Sequence, residues 1–483
     1  MSKVNNCRDR APHTAPGVAP IMPVAHVTSA EREPLEMKAR RAKQEQGQEQ
    51  EQGLTGLLSE FACWLRDNQI SLSFNIIALL FFTHVCVPNA RSYTTRLFWV
   101  SHYNPQTGEY AIGNHDFYFL AFCIVLFTGL RASVMEYVLA PMAKRWGVRK
   151  RKDVTRFSEQ AWLLCYYSVF WTLGMYLYCT SKYFLNLREM FTDWPSRELP
   201  EITKTYILAQ WAFWLQQLIV INIEERRKDH WQMLSHHIVT IILLWTSYAL
   251  HLTRVANLIL VLMDVVDIFF PLAKCLKYLG FSTVRDIMFG FFMTSWFVTR
   301  HVFYLRTMWS IYTDMYEEIS VGCYHGPQDK LAGPTPFPTD SWSHILEPFR
   351  RPSGTICYSD NIRLWFLGAL GFLQLITMYW FVLIVRVAIR VIKGQGADDI
   401  RSDDEDESGE EGETEIERNG REKTLAEARA FEVKSAIPTE KGIHNAAASS
   451  SSGSISAGRN LSGHINRNRK ELLGRIGCEK HVD

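Results

Sequence analysis

The sequence predicts an all-α polytopic membrane protein, a bundle of about eight transmembrane helices with disordered polar termini. Three observations predict this class. Apolar residues of the 483-residue chain concentrate between about Ser71 and Val391, in eight segments of membrane-helix character. Basic residues cluster in alternate connections between those segments. Two neighbouring apolar segments carry a histidine pair and an aspartate pair. A charged side chain at mid-helix costs about 2.5 to 3.5 kcal/mol on insertion scales, so such residues point to function. The alternative is a set of interhelical hydrogen bonds that glue the bundle together.

The mean hydropathy of −0.08 averages two unlike regions, an apolar middle and polar ends. The formal net charge of +2 favours neither sign. Basic residues sit in short clusters with no nucleic-acid motif beside them, which argues against a nucleic-acid partner. Ten cysteines without C-x-x-C spacing argue against a zinc ribbon or redox dithiol. No continuous apolar core precedes a small-residue cleavage site in the first 30 residues. No removable signal peptide is therefore expected, and the first membrane helix would serve as the targeting signal.

Residues 1–53 are rich in Pro, Glu, Gln and Lys and end in the run Gln44 to Gln52. That composition buries too little apolar surface to offset ordering entropy, so a disordered cytosolic segment is expected. Within 54–69, Leu54, Leu57, Leu58, Phe61, Trp64 and Leu65 recur at helical spacing. This reads as an amphipathic interfacial helix or as an ordinary packed one. The apolar segments then run approximately Ile70–Val87, Phe117–Leu139, Ala161–Cys179, Tyr206–Ile221, Leu234–Leu250, Val255–Leu272, Ile287–Leu305 and Leu364–Val391. Several fall short of the ~20 residues of an isolated span, which suits packing within a bundle.

Basic clusters precede the first segment and fill the second, fourth and sixth connections, for example Lys144 to Lys152 and Arg226 to Lys228. The positive-inside rule puts all four on the cytosolic side, and both termini with them. The long connection from about Arg306 to Arg363 then faces the opposite, lumenal side. Its Cys323 and Cys357 have an oxidising setting in which to pair, and the sequence leaves the pairing open. The tail, 397–483, begins strongly acidic. Ser402, Ser408 and Thr414 each have an acidic residue three positions on, the pattern acidophilic kinases read. A solvated acidic tail is the plainer reading.

The chemistry concentrates between Arg226 and Lys274. His236 lies 16 residues before Leu252 and Asp267 lies 15 after it. If the chain turns at Leu252, a rise of ~1.5 Å per residue places both about 22 to 24 Å from that turn. Asp264 and Asp267, three apart, are expected on one helix face. If that face meets His236, a carboxylate orients the imidazole for acid–base or nucleophilic work. Adjacent histidines point about 100° apart, so His236 and His237 take different roles. With one H-H pair and no second histidine box, a diiron centre is not expected, and a single structural ion is the remaining metal reading. Arg226, Arg227 and Lys228 suit a phosphate-rich group, or simply obey the positive-inside rule. Asp229 meets that cluster or caps the next helix. The tryptophans, Trp214 and Trp296 among them, read as belt or packing residues.

These residues resemble a known family. R-R-K-D-H-W-x-M-x-x-H-H-I-V-T-x-x-L-L-x-x-S-Y, then H-x-x-R ending at Arg254, then D-x-x-D-I-x-x-x-x-A-K ending at Lys274, resemble the signature of the ceramide synthases of the TLC-domain family. The homeobox-like insert of many animal members is absent, as in the fungal type. The resemblance implies a catalytic TLC domain over 153–396, preceded by two helices and a basic loop over 70–152. It implies acyl transfer from acyl-CoA to the amine of a sphingoid base, sphinganine or phytosphingosine, in the endoplasmic reticulum membrane. His236, His237, Asp264 and Asp267 would be catalytic. Arg226, Arg227, Lys228, Asp229, Arg254 and Lys274 would bind substrate. No cofactor is implied, acyl-CoA being a substrate, and no resident metal. A small single-span regulatory subunit and homo- or heterodimers are implied as partners, besides membrane lipids. The competing class is a non-catalytic TLC-domain protein of lipid-binding or translocation-associated type, which has no need of paired His and Asp.

Overall fold

The protein is described by a computed structural model over residues 60–223, 229–337 and 343–393. By compactness the chain divides between Ala62 and Cys63, and almost all the described residues belong to the second unit. The expected disordered N-terminal segment, the start of the interfacial helix and the acidic tail lie outside the described residues.

Helices dominate. Helix α1 (Glu60–Cys86) is followed by the short α2 (Arg91–Phe98). Next come α3 (Asp116–Ser133) and α4 (Ala140–Arg145), joined by the π-helical turn Val134–Leu139. Then follow α5 (Arg151–Cys179), α6 (Glu201–Ile223), α7 (His230–Ala249), α8 (Thr253–Asp264) and α9 (Val266–Tyr278). Helices α10 (Ser282–Phe297) and α11 (Tyr304–Glu318) join through a second π-helical turn, Val298–Phe303. The short α12 (Ser343–Arg350) and the long α13 (Asp360–Ile392) complete the set.

Counting the joined pieces as one, the described residues form eight long helical segments at the places the apolar pattern predicts. Five, including Thr253–Tyr278 and Asp360–Val391, are long and apolar enough to cross a membrane. The protein is thus an all-α, multi-pass membrane protein. One expectation is corrected at its start. Glu60–Cys86 is one uninterrupted helix, so no separate interfacial helix ends near residue 69. The apolar residues of the first span simply continue the spacing set by Phe61, Trp64 and Leu65.

Short reversals join the helices, with chemistry that explains them. After α4, Val148 N–H bonds Ala143 C=O and Gly147 N–H bonds Lys144 C=O. After α9, Phe281 and Gly280 repeat the pattern on Leu276 and Lys277. Both are Schellman caps with glycine at positive φ, +97° and +82°. The predicted turn near Leu252 is a third: Leu252 N–H bonds Ser247 C=O and His251 N–H bonds Tyr248 C=O. Here a histidine, φ +55°, takes the left-handed position usually given to glycine.

The α7–α8 turn end of the bundle carries a built cap. Strand β1 (Tyr110–Ala111) pairs antiparallel with β2 (Glu198–Leu199). Strands β3 (Gly322–His325), β4 (Ala332–Thr335) and β5 (Ile356–Tyr358) form a sheet in the order β4-β3-β5. Cys323 faces Cys357 in that sheet and the two are disulfide-bonded, which resolves the open pairing. Buried Arg197 donates to the carbonyls of Tyr324 (2.9 Å) and Pro352 (3.2 Å), tying the α5–α6 connection to the sheet. Its burial pulls the guanidinium down to about 10. Beneath lies a buried ion pair. Lys204 Nζ meets Asp116 Oδ1 at 2.7 Å and donates to the carbonyls of Ser101 (2.8 Å) and Ala111 (2.6 Å). Asp116 Oδ2 accepts from Gly113 N–H (2.9 Å) and Tyr248 O–H (2.8 Å).

Candidate active site

Helix α7 packs against α6, α8 and α13, which surround its histidines with apolar and aromatic side chains. The His236 ring lies edge-to-face between Trp214 of α6 (centroids 5.6 Å apart) and Trp380 of α13 (5.5 Å). His237 Nδ1 is 2.8 Å from the carbonyl of Met233, one turn earlier, so that nitrogen carries the proton. His236 Nδ1 is buried and has no hydrogen-bond partner among the described residues. The pair is divided as helix geometry requires: one ring is anchored to its own helix, the other is left available.

The two aspartates are divided as well. The regular bonding pattern is interrupted at Val265, between α8 and α9, where Ile268 N–H bonds the Val265 carbonyl three residues back while Val265 keeps helical angles, φ −57° and ψ −37°. Pro271, inside α9, removes a further amide donor, the one owed to the carbonyl of Asp267. Across this interruption the carboxylates meet different helices. Asp264 accepts from Gln210 Nε2 of α6 at 2.7 Å, and Gln210 Oε1 accepts from Tyr166 O–H at 2.9 Å. Asp267 pairs with Arg300 of the second π-helical turn, Nη2 to Oδ2 3.0 Å. The same Nη2 donates to the Met263 carbonyl, also at 3.0 Å. The guanidinium lies over the Trp296 ring, 4.0 Å from its centroid.

Two cavities meet here. The larger, about 280 Å³, is lined by His237, Asp229, His230, Lys274 and Trp380 among others. The smaller, about 60 Å³, runs between α7, α8 and α13 among Leu243, Leu244, Ile259, Leu260, Leu370 and Leu373. Four residues line both: Trp214, His236, Asp267 and Arg300. The equal-depth count from the turn thus brings His236 and Asp267 to one place.

Other expectations are corrected. Asp264 lines neither cavity; its carboxylate accepts from Gln210 instead. Asp267 gives its recorded bonds to Arg300, and the structure records no bond to His236. Asp229 is the residue before α7 but makes no side-chain cap bond; it lines the larger cavity. Arg254 lines neither cavity and donates to the carbonyls of Glu189 (3.1 Å) and Thr192 (2.8 Å), holding the α5–α6 connection. Trp214 and Trp296 are cavity walls, not belt residues. Lys274 lines the larger cavity, its Nζ 4.4 Å above the Phe270 ring. Arg226, Arg227 and Lys228, and the phosphorylation candidates Ser402, Ser408 and Thr414, lie outside the described residues. Among the described residues no group of three or more His, Cys, Asp or Glu side chains is placed to hold a metal ion. Sequence reasoning missed Arg300 and Gln210. Arg300 left a signal, an arginine inside an apolar segment, which is as costly as the aspartates that were noticed.

A membrane-embedded bundle that sets one histidine between a polar-walled cavity and a narrow apolar one defines a membrane protein built to handle a substrate with a lipid part. A family model for the TLC domain matches residues 156–386. The chain is 45% identical over 339 residues to the ceramide synthase FUM18 of Gibberella moniliformis, covering 69% of this chain and 79% of the relative. It is 42% identical over 363 residues to the sphingosine N-acyltransferase-like protein ALT7 of Alternaria alternata, covering 74% and 80%. It is 38% identical over 344 residues to the sphingosine N-acyltransferase lag1 of Schizosaccharomyces pombe, covering 71% and 80%. The chain belongs to the TLC-domain family of ceramide synthases, as the motif between Arg226 and Lys274 implied.

Proposed function

We propose that this chain is an acyl-CoA-dependent sphingosine N-acyltransferase, a ceramide synthase, which moves a fatty acyl group from acyl-CoA to the amine of a sphingoid base. The carrying observation is His236 at the meeting of the two cavities. The thioester carbon sits beside His236, the acyl chain enters the apolar cavity, and the CoA portion leaves through the larger one. Lys274, on the wall of the larger cavity, and Arg226 to Lys228 supply positive charge for CoA phosphates. His236 either attacks the thioester carbon or takes the proton of the incoming amine, and His237 assists proton transfer. Asp267 acts through Arg300, and Asp264 acts through Gln210 by fixing α6 against α8.

The protein resides in the endoplasmic reticulum membrane with eight spans, both termini cytosolic and the disulfide-bonded cap in the lumen. This sidedness is supported by the basic residues that the sequence gathers in alternate connections. Residues 153–396 form the catalytic domain. Family resemblance supports a small single-span regulatory subunit and homo- or heterodimers.

The test is ceramide formation in microsomes with sphinganine and acyl-CoAs of several lengths, for wild type and His236→Ala. Activity lost in the variant at equal expression supports the reading. Equal activity in both overturns the site.

A further inference from the structure

Several donors around the cavities are buried without an acceptor. Nε1 of Trp214, Trp296 and Trp380 and Nε of Arg300 have no hydrogen-bond partner among the described residues. All four residues line the larger cavity, and each is about 6% exposed. An unmade buried hydrogen bond costs about 1–3 kcal/mol, and most buried polar groups in native proteins are paired. With Trp162 Nε1 on the same wall, these are five donors buried without an acceptor, which a ligand reaching the wall would bring.

Two of the five stand at a special place. Trp214 and Arg300 line both cavities, together with His236 and Asp267; Trp162, Trp296 and Trp380 line the larger alone. Arg300 is fixed before any ligand arrives, by its two 3.0 Å bonds to Asp267 and Met263 and by its seat on Trp296. Trp214 is fixed against both histidine rings, at centroid distances of 5.6 and 5.0 Å. A thioester with its chain in the small cavity and its sulfur in the large one must place its carbonyl between these residues.

Resting on the acyl-transfer reading above, we propose that Trp214 Nε1–H and Arg300 Nε–H bind the thioester carbonyl oxygen and stabilise the negative charge it gains during transfer. Both routes open to His236 pass through that charge. In the covalent route the imidazole nitrogen bonds to the carbonyl carbon and a C=O electron pair moves onto oxygen. The pair returns as the C–S bond breaks and CoA leaves as its thiolate. The amine then attacks the acyl-imidazole through a second such oxyanion, the imidazole departs, and the amine proton ends on the CoA sulfur. In the direct route the amine nitrogen attacks the thioester carbon and the same oxygen is charged once. The balance is acyl-CoA plus amine giving amide plus CoA, with no redox partner. Fixed donors aimed where charge develops in a dry site are an efficient form of transition-state stabilisation.

The experiment uses the full chain in microsomes. Trp214→Phe keeps the ring and removes the N–H. Its kcat for N-acylation is expected to fall about 100-fold, within the range seen when one oxyanion donor is removed, with KM for acyl-CoA within about twofold. Trp211→Phe is the control. Trp211 lies three residues earlier on α6, is equally buried with an equally unpartnered Nε1, and lines neither cavity. It is expected to keep wild-type kinetics. Arg300→Lys, which keeps a cation for Asp267 but loses Nε–H, is expected to lower kcat without raising KM, and it carries the test if Trp214→Phe does not fold. Wild-type kcat in both site variants, an equal loss in Trp211→Phe, or a raised KM at unchanged kcat overturns the proposal. A wild type that forms no amide from acyl-CoA overturns the acyl-transfer reading itself.

Discussion

The ion pair beneath the cap gives a sharp stability test. Lys204 is 0% exposed and Asp116 2%, so both charges were taken out of water on folding. Each donor hydrogen of Lys204 has an acceptor: Asp116 and the carbonyls of Ser101 and Ala111. Lys204→Met strips all three acceptors and leaves a buried carboxylate with only the neutral donors of Gly113 and Tyr248. Breaking a buried pair from one side costs about 3–5 kcal/mol, whereas replacing both partners by neutral groups costs far less. The double variant Lys204→Met, Asp116→Asn keeps an amide oxygen for the Gly113 and Tyr248 donors and carries no stranded charge. It is expected to recover at least about 2 kcal/mol of the single variant's loss, a coupling of the size contacting residues show. The assay is thermal unfolding of the detergent-solubilised full chain, read as loss of the monodisperse chromatographic peak. Equal destabilisation of single and double variants would refute the argument. It would mean that the carbonyl acceptors of Ser101 and Ala111, and not the charge on Asp116, carry the cost.

Two further outcomes concern the cap. Burial holds His251, in the α7–α8 turn, down at about 3, so the folded protein keeps it neutral where an unfolded chain binds a proton. Stability from this group is therefore full above about pH 6.5 and declines as pH falls toward 3. The loss between pH 7.5 and 5.5 is about 1.4 kcal/mol. His251→Asn, which suits the positive φ, should flatten that part of the stability–pH curve. The Cys323–Cys357 bond closes a loop of sequence separation 34, which the chain-entropy account values at about 4 kcal/mol. Cys323→Ser should lower the unfolding temperature, and in sealed microsomes peptide mapping should find Cys323 and Cys357 labelled by a membrane-impermeant maleimide only after reduction and permeabilisation.

Much of this fold is legible in the sequence because a membrane bundle writes its helices as apolar runs. All eight segments were placed, and the turn at Leu252 was placed well enough to bring His236 and Asp267 to the same depth. The partners of those residues were not legible. Arg300 and Gln210 lie 33 and 54 residues from the aspartates they bind, and which helix lies beside which depends on packing that no local pattern encodes. The separate partners of the two aspartates were hidden for the same reason: spacing of three says that they lie near one face, and not that Gln210 of α6 meets one and Arg300 the other. A motif position such as Arg254 does not by itself imply a ligand contact: its guanidinium satisfies two loop carbonyls.

The exchange of partners around Asp267 bears directly on mechanism. A carboxylate bonded to imidazole would fix the tautomer of His236 and hold its ring. Here the carboxylate is spent on Arg300, and His236 Nδ1 has no partner among the described residues. The ring is instead gripped by aromatic edges, Trp214 on one side and Trp380 on the other, which restrict its rotation but accept no proton. The polar demands of this site are thus unmet on both sides: a nitrogen of His236, and the N–H groups of Trp214 and Arg300. A substrate that carries an electrophilic carbon and an oxygen acceptor in one carbonyl meets both at once. A plain hydrocarbon chain would fill the apolar cavity and leave every one of those groups unsatisfied. On the proposed reading the arrangement discriminates for a carbonyl at the junction before any chemistry begins, and Asp267 would contribute by holding the arginine that makes half of that discrimination.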